Sequence, residues 1–176
     1  MKRALIIAAG LLATPAWAGV FVDVGGNVTS ISSKIALQVQ PGNIVTSESG
    51  VHLGVGARRS ISARADIGVR IEWDKFGPNP FFAVRAFDYR HNVSKRLAAT
   101  AFLGAARLGL GTPAFGYYLG GGVQLKSLFP HWDFNVDFRY GDRLARDNLL
   151  PTDPKGGSPD NFHSIYGLSF YFSRNF

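Results

Sequence analysis

The sequence predicts an all-β protein: one closed, antiparallel, up-and-down transmembrane β-barrel of eight strands. Three observations support this prediction. Apolar and polar residues alternate with a period of two through much of the chain, 14 Phe and 21 Gly are spread along it, and its last segment is an aromatic strand. Beyond the first 18 residues, no apolar run reaches the ~18 residues that a helical membrane span needs. Strands of a membrane barrel instead carry their apolar residues at every second position.

Residues 1–18 show the order of features that is typical of a secretory signal peptide. Lys2 and Arg3 form a basic start, an apolar or small run follows, and residues 16–18 read Ala-Trp-Ala, an A-x-A cleavage pattern. We therefore expect residues 1–18 to be a removable signal peptide. Residues 19–176 are expected to form a single outer-membrane β-barrel domain.

The formal net charge of +7 at pH 7 is a pattern that often indicates nucleic-acid binding. Export argues against a nucleic-acid partner here, and the Lys and Arg residues are scattered through strand-like segments. Outer-membrane lipid and lipopolysaccharide are the expected partners of the cations that reach the surface. The sequence has no Cys, and its four His residues have no neighbouring ligand at metal spacing, so we expect neither a metal nor a cofactor.

The alternation is clearest in residues 132–143, where an aromatic or aliphatic residue at each even position from Trp132 to Tyr140 is followed by a polar or charged one. Successive side chains of a strand point to opposite faces, so this segment has one apolar and one charged face. Seven further segments complete the eight predicted strands: 20–27, 51–58, 62–74, 81–90, 96–107, 115–125 and 162–176.

The facing of the segment 81–90 stays open at this stage. Arg85 lies in phase with Phe81, whereas Asp88 lies in phase with Phe82, so neither parity gives a purely apolar face.

Connections of unequal length separate the predicted strands. Those around residue 60, at 91–94 and at 128–131 are short, whereas residues 28–49 and 144–161 are long and polar. Long loops outside and short turns in the periplasm are typical of transmembrane barrels. We expect the two long loops to be the surface-binding elements. Within the first, Ile35, Leu37 and Val39 alternate with Lys34, Gln38 and Gln40, which allows a strand extension above the membrane or a further strand.

We expect the bulky apolar face to meet lipid and the face with charges and Gly to fill the lumen, since an eight-stranded barrel has room only for its own side chains or one small ligand. A structural ion-pair network is favoured over a small gated pore, because burying one charge alone costs on the order of several kcal/mol. An open diffusion pore needs about 16 strands. The predicted lumen charges are Arg58, Arg64, Asp66, Arg70, Glu72, Asp133, Asp137 and Arg139.

The last strand carries the most specific signal. Gly167, Phe170, Phe172 and the terminal Phe176 resemble the C-terminal signature of outer-membrane barrels, which the barrel-assembly machinery reads. Ile165 departs from that signature, whose first position is polar. Over the whole mature chain the sequence resembles the small eight-stranded barrels of Gram-negative bacteria, of the OmpA transmembrane-domain, OmpX and opacity-protein type. The resemblance implies an outer-membrane location.

Three functions are compatible with such a barrel. We expect a non-enzymatic structural or surface-interaction role, with a porin-like architecture and a filled lumen. A lipid-modifying enzyme is one alternative, because His163 and Ser164 suggest the His–Ser pair of lipid A deacylases; that family separates the two residues by one position, and here they are adjacent. The other alternative is a soluble periplasmic ligand-binding barrel, which would turn its aromatic side chains inward.

Overall fold

Residues 19–35, 42–110, 113–146 and 161–176 are described by a computed structural model. They form one closed barrel of eight antiparallel strands, in which each strand pairs with its neighbours in the chain and the first pairs with the last. This confirms the predicted fold class. The strands are β1 (Gly19–Ile35), β2 (Gly42–Ser62), β3 (Ala65–Phe76), β4 (Asn79–Asn92), β5 (Leu97–Leu108), β6 (Ala114–Phe129), β7 (Trp132–Arg146) and β8 (Asn161–Asn175). The expected signal peptide lies outside the described residues.

Closure rests on the seam between β1 and β8, which are paired from Phe21↔Asn175 to Ile35↔Asn161. In hydrocarbon no water can satisfy an unpaired backbone group, so a membrane sheet must close on itself. None of the described residues belongs to a helix long and apolar enough to cross a membrane.

The barrel has two distinct ends. One end, here called the turn end, holds Gly19, Phe176 and the turns at residues 63–64, 93–96 and 130–131. The opposite end, here called the loop end, holds the connections between β1 and β2, β3 and β4, β5 and β6, and β7 and β8.

Much of the expected loop at residues 28–49 is in fact a β-hairpin. β1 continues to Ile35, β2 begins at Gly42, and the two are paired up to that point. Once the strands leave the apolar belt, several of the outward positions are Ser (Ser30, Ser32, Ser47 and Ser49), so the alternation of apolar and polar residues that marks the strands below is lost. Similarly, β7 runs to Arg146 and β8 starts at Asn161, so only residues 147–160 of the second expected loop lie outside the described residues.

A β-bulge in β4 explains why the sequence pattern of residues 81–90 does not show which face of this strand points to the lumen. The register shifts between Arg85 and Phe87 against β5, and at the same place against β3. The extra residue, Ala86, reverses the alternation, so Arg85 and Asp88 are both buried inside the barrel although their positions have opposite parity.

Candidate functional site

The outer surface of the barrel is apolar at mid-height on every strand. Phe138 is 47% exposed, and similarly exposed side chains surround the barrel: Val22, Val24, Leu53, Val55, Ile71, Phe82, Val84, Leu103, Leu119, Val123, Leu168 and Phe170. Charged residues of the same strands, such as Asp23, Arg70, Glu72, Arg85 and Arg139, are buried inside. A barrel in water would place these two classes of side chain the other way round. The outer surface is therefore built to meet hydrocarbon.

The structure places seven of the eight predicted lumen charges in the interior: Arg58, Asp66, Arg70, Glu72, Asp133, Asp137 and Arg139 are all buried. Arg64 is the exception, and its assignment to the lumen is corrected. β2 ends at Ser62 and β3 begins at Ala65, so Arg64 lies in the turn between them and is exposed. The alternation had been extended through a turn, where the strand period does not apply.

Arg85 lies at the centre of the lumen between two carboxylates. Its Nη2 is 2.5 Å from Glu72 Oε1, and its Nη1 is 2.8 Å from Asp137 Oδ2. Tyr118 donates a hydrogen bond to Glu72 and Tyr171 donates one to Asp137, at 2.7 and 2.6 Å. All of these groups are fully buried, so their charges can be balanced only by other groups of the lumen.

Two further arginines extend this network along the barrel axis. Towards the turn end, Arg70 contacts Asp23 at 3.1 Å and Asp88 at 3.0 Å. Towards the loop end, Arg139 pairs with Asp74, which also accepts from His52 at 2.6 Å. Ion pairs thus line the described interior at several levels along the barrel axis.

An apolar cluster seals the lumen at the loop end. Phe76, Phe81, Leu108, Leu144 and Ile165 are each completely buried there. At the turn end, a recess of about 190 Å³ remains between Phe21, Arg58, Asp66 and Arg90, among others. A recess of this kind can hold a few water molecules.

Sequence reasoning missed several members of the lumen network. Arg85 and Asp88 were missed because the bulge between them lets residues of opposite parity face the same side of the sheet. Asp23 and Asp74 stand in regular alternation within β1 and β3, so their inward facing could have been read from the pattern. Their partners could not, because pairing across the lumen depends on strand register rather than on sequence distance.

A serine–histidine pair lies at the loop end, above the apolar belt. Ser33 of β1 and His163 of β8 are cross-strand partners, and Ser33 Oγ is 2.8 Å from His163 Nδ1. Burial lowers the pKa of His163, which favours the neutral imidazole. The neighbouring Ser164 instead donates to Asp142 at 2.9 Å, so adjacent residues face opposite sides, as the strand period predicts.

The residues of the expected assembly signal all lie on or just after β8. Phe170 and Phe172 point outward, and Gly167 faces the lumen beside Arg139 and Thr29. Phe176 is 72% exposed at the turn end and its N–H bonds to Val20 O at 2.9 Å. Among the described residues, no group of three or more His, Cys, Asp or Glu side chains is arranged to hold a metal ion.

No protein-family model matches the chain, and no curated protein matches it either. Among solved structures, Ail, the attachment invasion locus protein of Yersinia pestis, in complex with the heparin analogue sucrose octasulfate, matches with a TM-score of 0.53 at 10% identity, covering 92% of this chain and 100% of that chain. A second Ail structure gives 0.51 with the same identity and coverage. Neisserial surface protein A gives 0.49 at 14% identity, with the same coverage. The likeness to Ail confirms the resemblance predicted from the sequence: this chain has the fold of the small eight-stranded outer-membrane barrels.

Proposed function

We propose that this protein is an integral outer-membrane β-barrel with a non-enzymatic structural or surface-interaction role. The observation that carries the proposal is the inverted distribution of side chains: an apolar belt outside and paired charges inside. The same observation argues against a soluble ligand-binding barrel, because that protein would leave its apolar belt in water. Insertion would follow export and delivery to the barrel-assembly machinery.

The lumen supports a structural rather than a conducting role. Breaking a pair such as Arg85–Glu72 to open a path would leave a buried charge without a partner, at a cost of several kcal/mol. The apolar cluster at the loop end adds a second obstacle in series. We therefore propose that the filled lumen stabilises the barrel and does not conduct ions.

The hairpin of β1 and β2 supports a surface-interaction role. Ile44 and Val45 point to opposite faces, and they are 55% and 62% exposed, so this part of the hairpin stands clear of the barrel. β2 pairs with β3 only from His52 towards the turn end, so in the described part of the chain residues 43–47 pair with β1 alone. An unpaired strand edge is able to add a strand from another chain. Residues 147–160, which connect β7 to β8 and lie outside the described residues, remain the second candidate for ligand contact, and lipopolysaccharide remains an expected partner.

Single cysteines test location and orientation together, because the native chain contains no Cys. Thr46→Cys places a thiol on the hairpin and Lys95→Cys places one in the turn between β4 and β5. A membrane-impermeant maleimide is expected to label the first variant on intact cells and the second only after permeabilisation. Labelling in the reverse order would contradict the orientation.

A variant with a shortened β1–β2 hairpin distinguishes a structural role from a surface-interaction role. Replacing residues 30–47 by an Asn-Gly turn joins Thr29 to Glu48, which are partners in the native register. If the role is structural, this variant restores detergent resistance to a strain lacking the protein. If the role is surface interaction, the variant inserts normally but fails to support binding of the bacteria to a surface.

A lipid-modifying enzyme is the second candidate, because Ser33 and His163 meet the distance requirement of a nucleophile and its general base. Both side chains face the mouth of the lumen rather than the lipid belt, which favours the non-enzymatic role. The test is acyl release from phospholipid or lipopolysaccharide by purified protein, with Ser33→Ala as the inactive control. Activity that is lost in Ser33→Ala would support the enzyme and overturn the non-enzymatic proposal.

A further inference from the structure

The exposed charges of the described residues are distributed unevenly between the two ends of the barrel. Of the Lys and Arg residues whose side-chain burial the structure describes, seven are exposed, and five of these lie at the turn end: Arg59, Arg64, Lys95, Arg96 and Arg174. The other two, Lys75 and Arg107, lie at the loop end. The described acids that are not buried, Glu48 and Asp142, also lie at the loop end. The acidic side chains described at the turn end are buried, so no exposed Asp or Glu side chain lies among these cations.

The five turn-end cations, here called the cation ring, come from positions around the barrel. Arg59 is near the end of β2, Arg64 is in the following turn, Lys95 and Arg96 are in the turn between β4 and β5, and Arg174 is near the end of β8. Charges spread along the rim of a barrel, here from β8 past β1 to the turn between β4 and β5, fit a planar partner better than a compact one.

Apolar side chains lie at the same height as the cation ring. Phe129 and Val93 are 57% and 61% exposed near the turns of that end. The guanidinium carbon of Arg174 lies 5.8 Å from the ring centroid of Trp132 and 5.2 Å from that of Phe176. Aromatic rings beside Arg or Lys are typical of the membrane–water interface, where the aliphatic stem lies along apolar surface and the charge reaches the headgroups.

We propose that the cation ring binds the phosphate groups of anionic glycerophospholipids in the leaflet at the turn end. This inference rests on the proposed function, because it requires the barrel to be inserted in a bilayer. Anionic headgroups attract Lys and Arg near the surface by an amount equivalent to about a fivefold preference per cation. The partner is therefore a phospholipid of the periplasmic leaflet, and not lipopolysaccharide, which occupies the opposite leaflet.

The test compares three forms of the full mature barrel. The ring variant carries Arg59→Gln, Arg96→Gln and Arg174→Gln, and the matched control carries Lys75→Gln and Arg107→Gln at the loop end. Each is folded into vesicles of equal parts phosphatidylcholine and phosphatidylglycerol, and the lipids that remain bound after mild extraction are counted by native mass spectrometry. We expect phosphatidylglycerol to be enriched on the wild type and the control, and this enrichment to fall at least about fivefold in the ring variant.

The outcomes distinguish the two proposals. A wild-type protein that shows no mobility shift between boiled and unboiled samples would overturn the proposed function, and the lipid inference with it. A shift without phosphatidylglycerol enrichment, or an enrichment lost in the loop-end control but kept in the ring variant, would overturn the lipid inference alone. Preferential retention of lipopolysaccharide when it replaces phosphatidylglycerol in the vesicles would do the same.

A folding defect in the ring variant does not remove the test. Lysine replacements at the same three positions keep the charge and are expected to keep the enrichment. In the wild type, raising the salt from about 0.01 M to about 1 M shortens the screening length from about 30 Å to about 3 Å and should abolish the enrichment. An enrichment that resists salt would contradict the inference.

Discussion

Arg85 is the most informative residue to remove, because it is fully buried and holds two carboxylates of the lumen. Its guanidinium lies between Glu72 and Asp137, at 2.5 and 2.8 Å, and its Cζ lies 3.5 Å from the ring centroid of Phe102. Arg85→Met keeps most of the side-chain volume and deletes the charge. The substitution therefore tests electrostatics rather than packing.

The expected loss in the free energy of unfolding depends on the hydrogen bonds that Glu72 and Asp137 keep after the substitution. Removing one partner of a buried ion pair costs about 3–5 kcal/mol, because the other charge remains buried without compensation. Glu72 retains the hydrogen bond from Tyr118, and Asp137 retains those from Thr100 and Tyr171. These hydrogen bonds reduce the loss of stability, but they do not neutralise the charge of either carboxylate. We expect Arg85→Met to lower the free energy of unfolding by about 4 kcal/mol.

A companion variant tests the cause of this loss. Adding Glu72→Gln to Arg85→Met removes one of the two orphaned charges, and we expect it to recover at least about 1 kcal/mol. Arg107→Met is the matched surface control, because Arg107 is exposed on β5. Its effect should stay within about 0.5 kcal/mol.

Unfolding by urea in phosphatidylcholine vesicles, followed by tryptophan fluorescence, measures all three variants. A loss smaller than about 1 kcal/mol in Arg85→Met, when a broken buried pair should cost about 3–5 kcal/mol, would refute the ion-pair interpretation of the lumen. The ion-pair interpretation would also be refuted if Arg85→Met combined with Glu72→Gln were no more stable than Arg85→Met alone.

Three further predictions concern the belt, the last residue and the loop end. Phe138→Arg should cost about 2–4 kcal/mol in a bilayer, whereas Phe115→Arg near the loop end should cost about 0–1 kcal/mol; equal costs in urea unfolding would contradict the placement of the belt. Deletion of Phe176 should impair outer-membrane assembly while export continues, and a truncated chain that still gives the heat-dependent mobility shift in cell membranes would remove its role as an assembly signal. Burial lowers the pKa of His163, so below about pH 6.5 the unfolded chain binds the proton more readily than the folded barrel. The stability of the wild type relative to His163→Gln should therefore decrease between about pH 7 and pH 5, and an increase in the urea midpoint would contradict this assignment.

The strand period accounts for most of what the sequence could predict. In β7 the alternation from Trp132 to Tyr140 fixes which residues face lipid and which face the lumen, because the two environments differ so strongly. Predictions of side-chain facing from the strand period were incomplete or wrong where the backbone departs from a regular strand. Ala86 inserts a bulge that brings Arg85 and Asp88 to the same side, and the turn at residues 63–64 takes Arg64 out of the lumen.

Contacts across the lumen could not be predicted from the sequence. Arg70 and Tyr171 are separated by 101 positions, yet they meet at 2.6 Å because closure places β8 beside β1 and opposite β3. Ser33 and His163 are 130 positions apart and meet for the same reason. Such pairs depend on strand register at the seam, which no local pattern encodes.

Membrane fractionation combined with a heat-modifiability gel tests the central claim most directly. We expect the protein in the outer-membrane fraction, with an unboiled band in SDS that changes its mobility on boiling, because a closed barrel filled with ion pairs resists the detergent until it is heated. A protein recovered from the periplasm without detergent, with the same mobility before and after boiling, would contradict the account.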